Sequence, residues 1–166
     1  MNLTNTYKGH AGVEYIFEYS DADSFEQLDI SRCTQVYGVC FCGDKIVIGH
    51  NSKKKTWGLI GGTIENGESL KETLKREIRE ESNMEMLSCV PIGVQKVTDT
   101  RDDSFCYQLR YMCVVEPYGP FVSDPDDSIT EIKLINPKDY KQYFDWGSIG
   151  DRMMERALEQ KVKLIK

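Results

Sequence analysis

The 166-residue chain contains no apolar run near the ~18 residues a bilayer-spanning helix needs, and Met1 to Tyr15 carries no hydrophobic signal core. A membrane protein is not expected. An excess of basic charge is also missing: 27 acidic residues stand against 21 Lys and Arg, for a net charge of −6. Proteins that grip a nucleic-acid duplex through its phosphates present a basic face, so no duplex partner is expected. The one basic run, Lys53 to Lys55, reads as a solvated loop, with a phosphate-facing loop as the minority alternative. Histidine is scarce, with only His10 and His50, and the six cysteines include no C-x-x-C pair. That argues against a zinc site. Five prolines, 13 glycines and no internal repeat exclude a collagen-like or low-complexity chain.

What is present is an ordinary globular composition, 40% apolar and 29% charged. The length predicts one domain, residues 1–166, able to bury roughly 70% of its unfolded surface. Cys40 and Cys42 alternate within an apolar run, so the cysteines read as small buried hydrophobes in a cytoplasmic protein. Strands are predicted at 13–19, at 34–42 (apolar on both faces), at 45–49 after a Gly43-Asp44 turn, at 86–98 with a bend at Pro91 and Gly93, at 104–115 and at 130–135. In the 104–115 strand, Leu109, Tyr111, Cys113 and Val115 share one face, and Gln108 and Arg110 lie on the other, polar one. Helices are predicted at 69–83 and 149–163, the second with Met154, Ala157, Leu158 and Val162 on its apolar stripe. Interleaved strands and helices with hairpins predict an α/β fold, a mixed sheet with helices on its faces.

The helix at 69–83 carries the chemistry. Ser69 stands three residues before Glu72, a capping-box spacing, and Asn83 suits the left-handed cap at the far end. Leu70, Leu74 and Ile78 form the apolar stripe. At 3.6 residues per turn, Glu77 and Glu81 fall about 20° to either side of Leu70, so two carboxylates extend the stripe that faces the protein body. Glu80 lies beside them, one turn beyond Arg76. Turned inward at ~6 Å, with an effective dielectric of ~20, such a pair repels by about 3 kcal/mol. A retained proton, a basic side chain or a bound cation can relieve that. Arg76 is expected to serve one acid but not all three, and a hard divalent ion such as Mg²⁺ or Mn²⁺ relieves the whole cluster. The bland alternative is a solvated, glutamate-rich helix face.

The wider spacing, Gly62, five residues, Glu68, seven residues, then Arg76-Glu77-Ile78-Arg79-Glu80-Glu81, resembles the signature of the Nudix (MutT-type) hydrolases, G-x5-E-x7-R-E-U-x-E-E-x-G-U with U aliphatic. Chance would produce this match on the order of once in 10⁵ chains. The motif occupies residues 62–84, and Trp57 to Gly62 also looks like the family's approach to it. Asn83 replaces the motif's second glycine, at a position where Asn serves the same capping purpose.

The resemblance implies a Nudix-type α/β/α sandwich, with a mixed β-sheet between helices. It implies Mg²⁺- or Mn²⁺-dependent hydrolysis of a pyrophosphate bond in a nucleoside diphosphate linked to another group. Carried over by position, Gly62, Glu77, Glu80 and Glu81 are the expected metal ligands, Arg76 orients the first of these glutamates, and Glu68 braces the loop against the helix. Glu131, ahead of the Ile132/Leu134 strand segment, is a candidate outer ligand or general base; Asp102, Asp103, Asp126 and Asp127 are weaker ones. Gln108 and Arg110 are candidates for meeting the nucleotide, and Tyr107, Tyr111 and Trp57 are expected to pack. No array of the kind that marks NADH hydrolases occurs downstream, and markers of the ADP-ribose and dinucleoside polyphosphate enzymes are missing. The substrate expectation therefore leans to a nucleoside triphosphate or a modified nucleotide. The family often dimerises, so a homodimer is expected. The alternatives are a non-catalytic nucleotide-sensing module and an isoprenyl diphosphate isomerase on the same fold.

Overall fold

The computed structural model describes residues 2–125 and 128–166. Nine strands lie among the described residues: β1 (Asn2–Lys8), β2 (Glu14–Asp21), β3 (Cys33–Cys42), β4 (Lys45–Asn51), β5 (Thr56–Gly58), β6 (Ile60–Thr63), β7 (Met84–Asp99), β8 (Phe105–Pro117) and β9 (Ile129–Ile135). Two α-helices accompany them, α1 (Leu70–Ser82) and α2 (Gly147–Ile165). The sheet runs β1-β2-β7-β8-β3-β4-β5, with β6 also paired to β3 and β9 to β4. β3 and β8 are parallel and the other pairs antiparallel, so the sheet is mixed, as expected.

β3 reads as apolar on both faces because it is buried on both. Val39 and Phe41 join a core with Ile149, Met153, Met154 and Ala157 of α2. Val36 and Cys40 join a second core with Leu74 and Ile78 of α1. The alternation of a strand thus divides one segment between two layers, and the helices flank the sheet. The bend expected in β7 is real: its pairing to β8 slips between Met86 and Ser88 and again between Pro91 and Gly93. All six cysteines are free thiols.

The structure departs from the sequence expectation in several places, and β5 and β6 are strands where none is predicted. β1 was not expected, since NLTNTYK has no apolar alternation. It is an edge strand held by backbone pairing to β2, which makes little demand on side chains. On α2, Leu158 and Val162 are exposed, not buried. The buried face holds Met153 and the aliphatic stem of Arg156 instead, while Arg152 and Arg156 reach across to Asp21 and Asp23. On β8 the supposed polar face is covered: Arg110 is only 5% exposed.

Candidate functional site

The ends of α1 are fixed by local chemistry. The Ser69 hydroxyl oxygen accepts from the Glu72 amide at 3.2 Å, and the Glu72 carboxylate accepts from the Ser69 amide at 3.1 Å. Asn83 closes the helix in the left-handed region (φ 57°, ψ 38°), its amide donating to the Arg79 carbonyl. Leu74 and Ile78, both fully buried, lock the helix azimuth. Glu77 and Glu81 follow them inward, and Glu81 is 7% exposed. The predicted orientation of these two carboxylates therefore holds.

Opposite them lies the loop through β6. The Gly61 amide donates to Glu81 Oε1 at 2.8 Å. Gly62 has a steric reason to be glycine: a Cβ there would stand 2.5 Å from Glu77 Oε1. The absent side chain is the space the Glu77 carboxylate occupies.

Arg76 does more than expected. Its guanidinium donates from Nε to Glu68 Oε2 at 2.8 Å and from Nη2 to Glu68 Oε1 at 3.0 Å, a bidentate pair. Nη1 donates to Glu77 Oε1 at 2.9 Å and to Glu80 Oε2 at 3.2 Å, and Nη2 reaches the Thr63 carbonyl at 3.2 Å. A single planar fork serves Glu68, Glu77 and Glu80 together because loop and helix present all three to one side of it. Of the three helix acids Arg76 therefore serves two, Glu77 and Glu80, one more than expected, and, as expected, not all three: Glu81 lies outside its reach. Glu68 also accepts from the Glu65 amide and the Thr73 hydroxyl, consistent with the bracing role implied for it.

The charges divide accordingly. Hydrogen bonds from Arg76 hold the Glu68 carboxyl at about 2. Burial raises Glu77 above the usual carboxylate range, against the pull of Arg76. Glu81 receives no hydrogen bond from Arg76. Burial lifts it to about 8, partly offset by the Gly61 amide and reinforced by the charges of Glu77, Asp124 and Glu80.

Asp124 was not singled out in the sequence. It is 4% exposed, its amide donates to the Ile129 carbonyl at 3.2 Å, and Oδ2 accepts from the Ser128 hydroxyl at 2.6 Å. Its charge acts on both Glu77 and Glu81. Nothing in the Pro-, Gly- and Asp-rich segment distinguishes it from its neighbours; only the start of β9 decides which acid turns inward. Asp126 and Asp127 lie outside the described residues. Asp102 accepts from Ser104 in the exposed turn between β7 and β8, and Asp103 is exposed in the same turn. Glu131 is exposed on β9, on the same strand face as Lys133, and does not line the cavity described below.

Among the described residues, no three Asp, Glu, His or Cys side chains converge as metal ligands. The expected set of Gly62, Glu77, Glu80 and Glu81 is not ready-made, because Arg76 engages two of its carboxylates. The donor chemistry still suits a hard divalent ion. The oxygens are carboxylates, and two of the acids have been made reluctant to ionise by burial.

Gly61 and Glu81 line a cavity of about 740 Å³ on the α2 side of the sheet. Its floor includes Gln35 and Tyr37 of β3, Gln95 of β7, and Gln108 and Arg110 of β8. Asn5, Tyr7 and Phe17 come from β1 and β2, and Lys54, Lys55 and Trp57 from the β4–β5 hairpin. Gln108 and Arg110 are thus cavity residues rather than solvated strand positions. Lys53 to Lys55 are exposed, as a solvated loop is, and Lys54 and Lys55 also line the cavity. Trp57 both lines the cavity and packs edge-on against Tyr143.

A family model described as NUDIX domain matches residues 34–157. No curated protein matches the chain in sequence. Among solved structures, a pyrophosphohydrolase from Bacillus subtilis superposes with a TM-score of 0.71 at 14% identity, covering 94% of this chain and 97% of its own. A NUDIX hydrolase from Nitrosomonas europaea gives 0.63 at 17% identity, covering 78% and 90%. The NUDIX domain of Shewanella oneidensis NrtR, complexed with ADP ribose, gives 0.52 at 22% identity, covering 81% and 94%. Motif, layer order and a family match spanning three quarters of the chain agree, and the chain belongs to the NUDIX domain family.

Proposed function

We propose that the chain is a pyrophosphohydrolase that cleaves a phosphoanhydride in a nucleoside diphosphate-linked compound with the help of Mg²⁺ or Mn²⁺. One observation carries this reading. Glu81, buried and with no basic side chain bonded to it among the described residues, accepts from the Gly61 amide at the wall of a cavity large enough for a nucleotide. Glu77 and Glu81 are the helix carboxylates that burial makes hardest to ionise, and they would hold the ion, with Glu80 as a further ligand. When bound, such an ion neutralises the diphosphate and lowers the pKa of a coordinated water.

The protein's own residues do the rest. Arg76 fixes the loop through Glu68 and holds the Glu77 carboxylate in place. Gly62 leaves room for that carboxylate. Glu81 is oriented by the Gly61 amide. Asp124 and Glu131 are the acids outside α1 that are candidates to take the proton from the attacking water, and Asp124 is the one buried beside the helix acids. The substrate lean is to a nucleoside triphosphate or a modified nucleotide. A cytoplasmic homodimer is part of the proposal; free thiols suit a reducing compartment.

The test is a panel of nucleotide diphosphate compounds with Mg²⁺ or Mn²⁺, with products identified in ¹⁸O water. Turnover that vanishes with EDTA and in Glu81→Gln supports the reading, and no turnover across the panel sinks it. A second reading, a nucleotide-binding module without catalysis, is favoured by the engagement of Glu77 and Glu80 by Arg76. Calorimetry showing tight binding of an unconverted ligand would select it.

A further inference from the structure

The floor of the cavity holds a cation that the reaction at α1 does not require. Arg110 is 5% exposed and lines the cavity. Among the described residues it forms no ion pair. Its Nη2 donates to Gln108 Oε1 at 3.2 Å, and that same oxygen accepts from Gln95 Nε2 at 3.1 Å. Its guanidinium carbon lies 5.1 Å from the centroid of the Tyr37 ring. Burial depresses the arginine to about 10, and no carboxylate counters the effect. A charge taken out of water without a counter-ion is costly, and such groups are normally paired. Here the neutral Gln108 amide, the Leu109 carbonyl (which accepts from Nη1 at 3.4 Å) and a ring face attend it, and Gln108 spends its oxygen on two donors. The pair therefore turns mainly N–H groups to the cavity, and the unmet need is for an anion.

Register fixes where this cation stands. Gly61 pairs with Tyr37, and Tyr37 pairs with Arg110, across β6, β3 and β8. Glu81 is bonded to the Gly61 amide. Two strand spacings, about 10 Å, thus separate the backbone at the acid end from the backbone of Arg110. Tyr37 stands on the strand between them, so a group that meets Arg110 while the anhydride faces the α1 acids lies on the far side of Tyr37 from Gly61.

We propose that Arg110, backed by Gln108 and Gln95, receives a second anionic group of the substrate, a phosphate ester carried on the nucleoside apart from the anhydride presented to α1. This rests on the pyrophosphohydrolase reading and narrows it to diphosphate compounds with a peripheral phosphate.

Two pairs of compounds differ by that group alone: NADP⁺ against NAD⁺ for a 2′-phosphate, and coenzyme A against dephospho-coenzyme A for a 3′-phosphate. Binding is measured by calorimetry in EDTA, so that it reports recognition without turnover. The expected result is that the phosphorylated member of one pair binds about ten- to hundredfold more tightly, as a charge-assisted hydrogen bond provides. Arg110→Gln abolishes the ratio. Arg110→Lys, which keeps the charge and loses the fork, retains part of it, and it serves where the glutamine variant does not fold. Equal binding within both pairs overturns the inference, and so does a variant that weakens both members alike, which marks Arg110 as packing only. Hydrolysis that proceeds with no preference for peripheral phosphate defeats this inference alone. Discrimination that persists in EDTA while no compound is hydrolysed with Mg²⁺ or Mn²⁺ defeats the hydrolase reading and leaves the anion site standing.

Discussion

Replacing Glu81 by glutamine is expected to stabilise the metal-free protein, and to do so increasingly as the pH rises. In the native chain burial lifts the Glu81 carboxyl from 4.5 to about 8. Between those values the native state holds a proton that the unfolded chain has released. The native state therefore binds more protons across this window, and stability falls as pH climbs through it. The slope for one group is about 1.4 kcal/mol per pH unit, so from pH 5.5 to 7.5 the cost is about 3 kcal/mol. Glutamine has no proton to lose, and its carbonyl oxygen can still accept from the Gly61 amide. Urea unfolding in EDTA, run on both proteins at the two pH values, isolates the effect as the change in their difference, because the other titrating groups are common to both. The variant should gain about 3 kcal/mol relative to the parent. Excess Mg²⁺ or Mn²⁺ should close that gap at pH 7.5 if the ionised carboxylate holds the ion, since a ligand that binds only the native state stabilises it. A difference that stays flat with pH, or a variant that loses ground as pH rises, would show that Glu81 is not a desolvated acid and would remove the central observation of the functional proposal.

The remaining expectations concern the surroundings of that carboxylate. Gly62→Ala puts a Cβ 2.5 Å from Glu77 Oε1, so Glu77 must shift; kcat should fall on the order of a hundredfold with little change in Tm, and near-parental kcat would refute the steric reading. Arg76→Lys loses the bidentate grip on Glu68 and cannot serve three carboxylates; urea unfolding should show a loss of about 1–2 kcal/mol, and turnover should drop at least tenfold. Asn83→Gly should remain within about 0.5 kcal/mol of the parent, whereas Asn83→Ala should cost about 1 kcal/mol, because φ is 57° there; equal effects would mean that the Asn83–Pro120 hydrogen bond matters more than the backbone.

How much of this was legible depends on whether a feature is local. The capping box, the left-handed asparagine and the inward aim of Glu77 and Glu81 are properties of one helix, and helical periodicity places them without reference to anything else. The bend in β7 at Pro91 and Gly93 is local in the same sense. The electrostatics of the site is not. Arg76 reaches Glu68 only because the turn from Glu65 to Glu68, ahead of the Ser69 cap, sets that carboxylate beside the helix, and spacing alone does not reveal that the fork then has arms left for Glu77 and Glu80. Asp124 is one acid among several in its loop until β9 pairs with β4 and turns it inward.

Arg110 shows the limit most clearly. Alternation along β8 correctly separates it from Leu109 and Tyr111, and it is reasonable to expect a polar alternate face to meet water. The side chains that cover that face come from β1, β2, the β4–β5 hairpin and the segment leading into α2, all distant in sequence. A strand pattern reports which residues share a side, but the rest of the fold decides whether that side is solvent or cavity. For an arginine the difference is large. In water it is an ordinary solubilising charge; beneath a 740 Å³ cavity, and in no ion pair with any described residue, the same residue is a receptor for whatever negative group completes it.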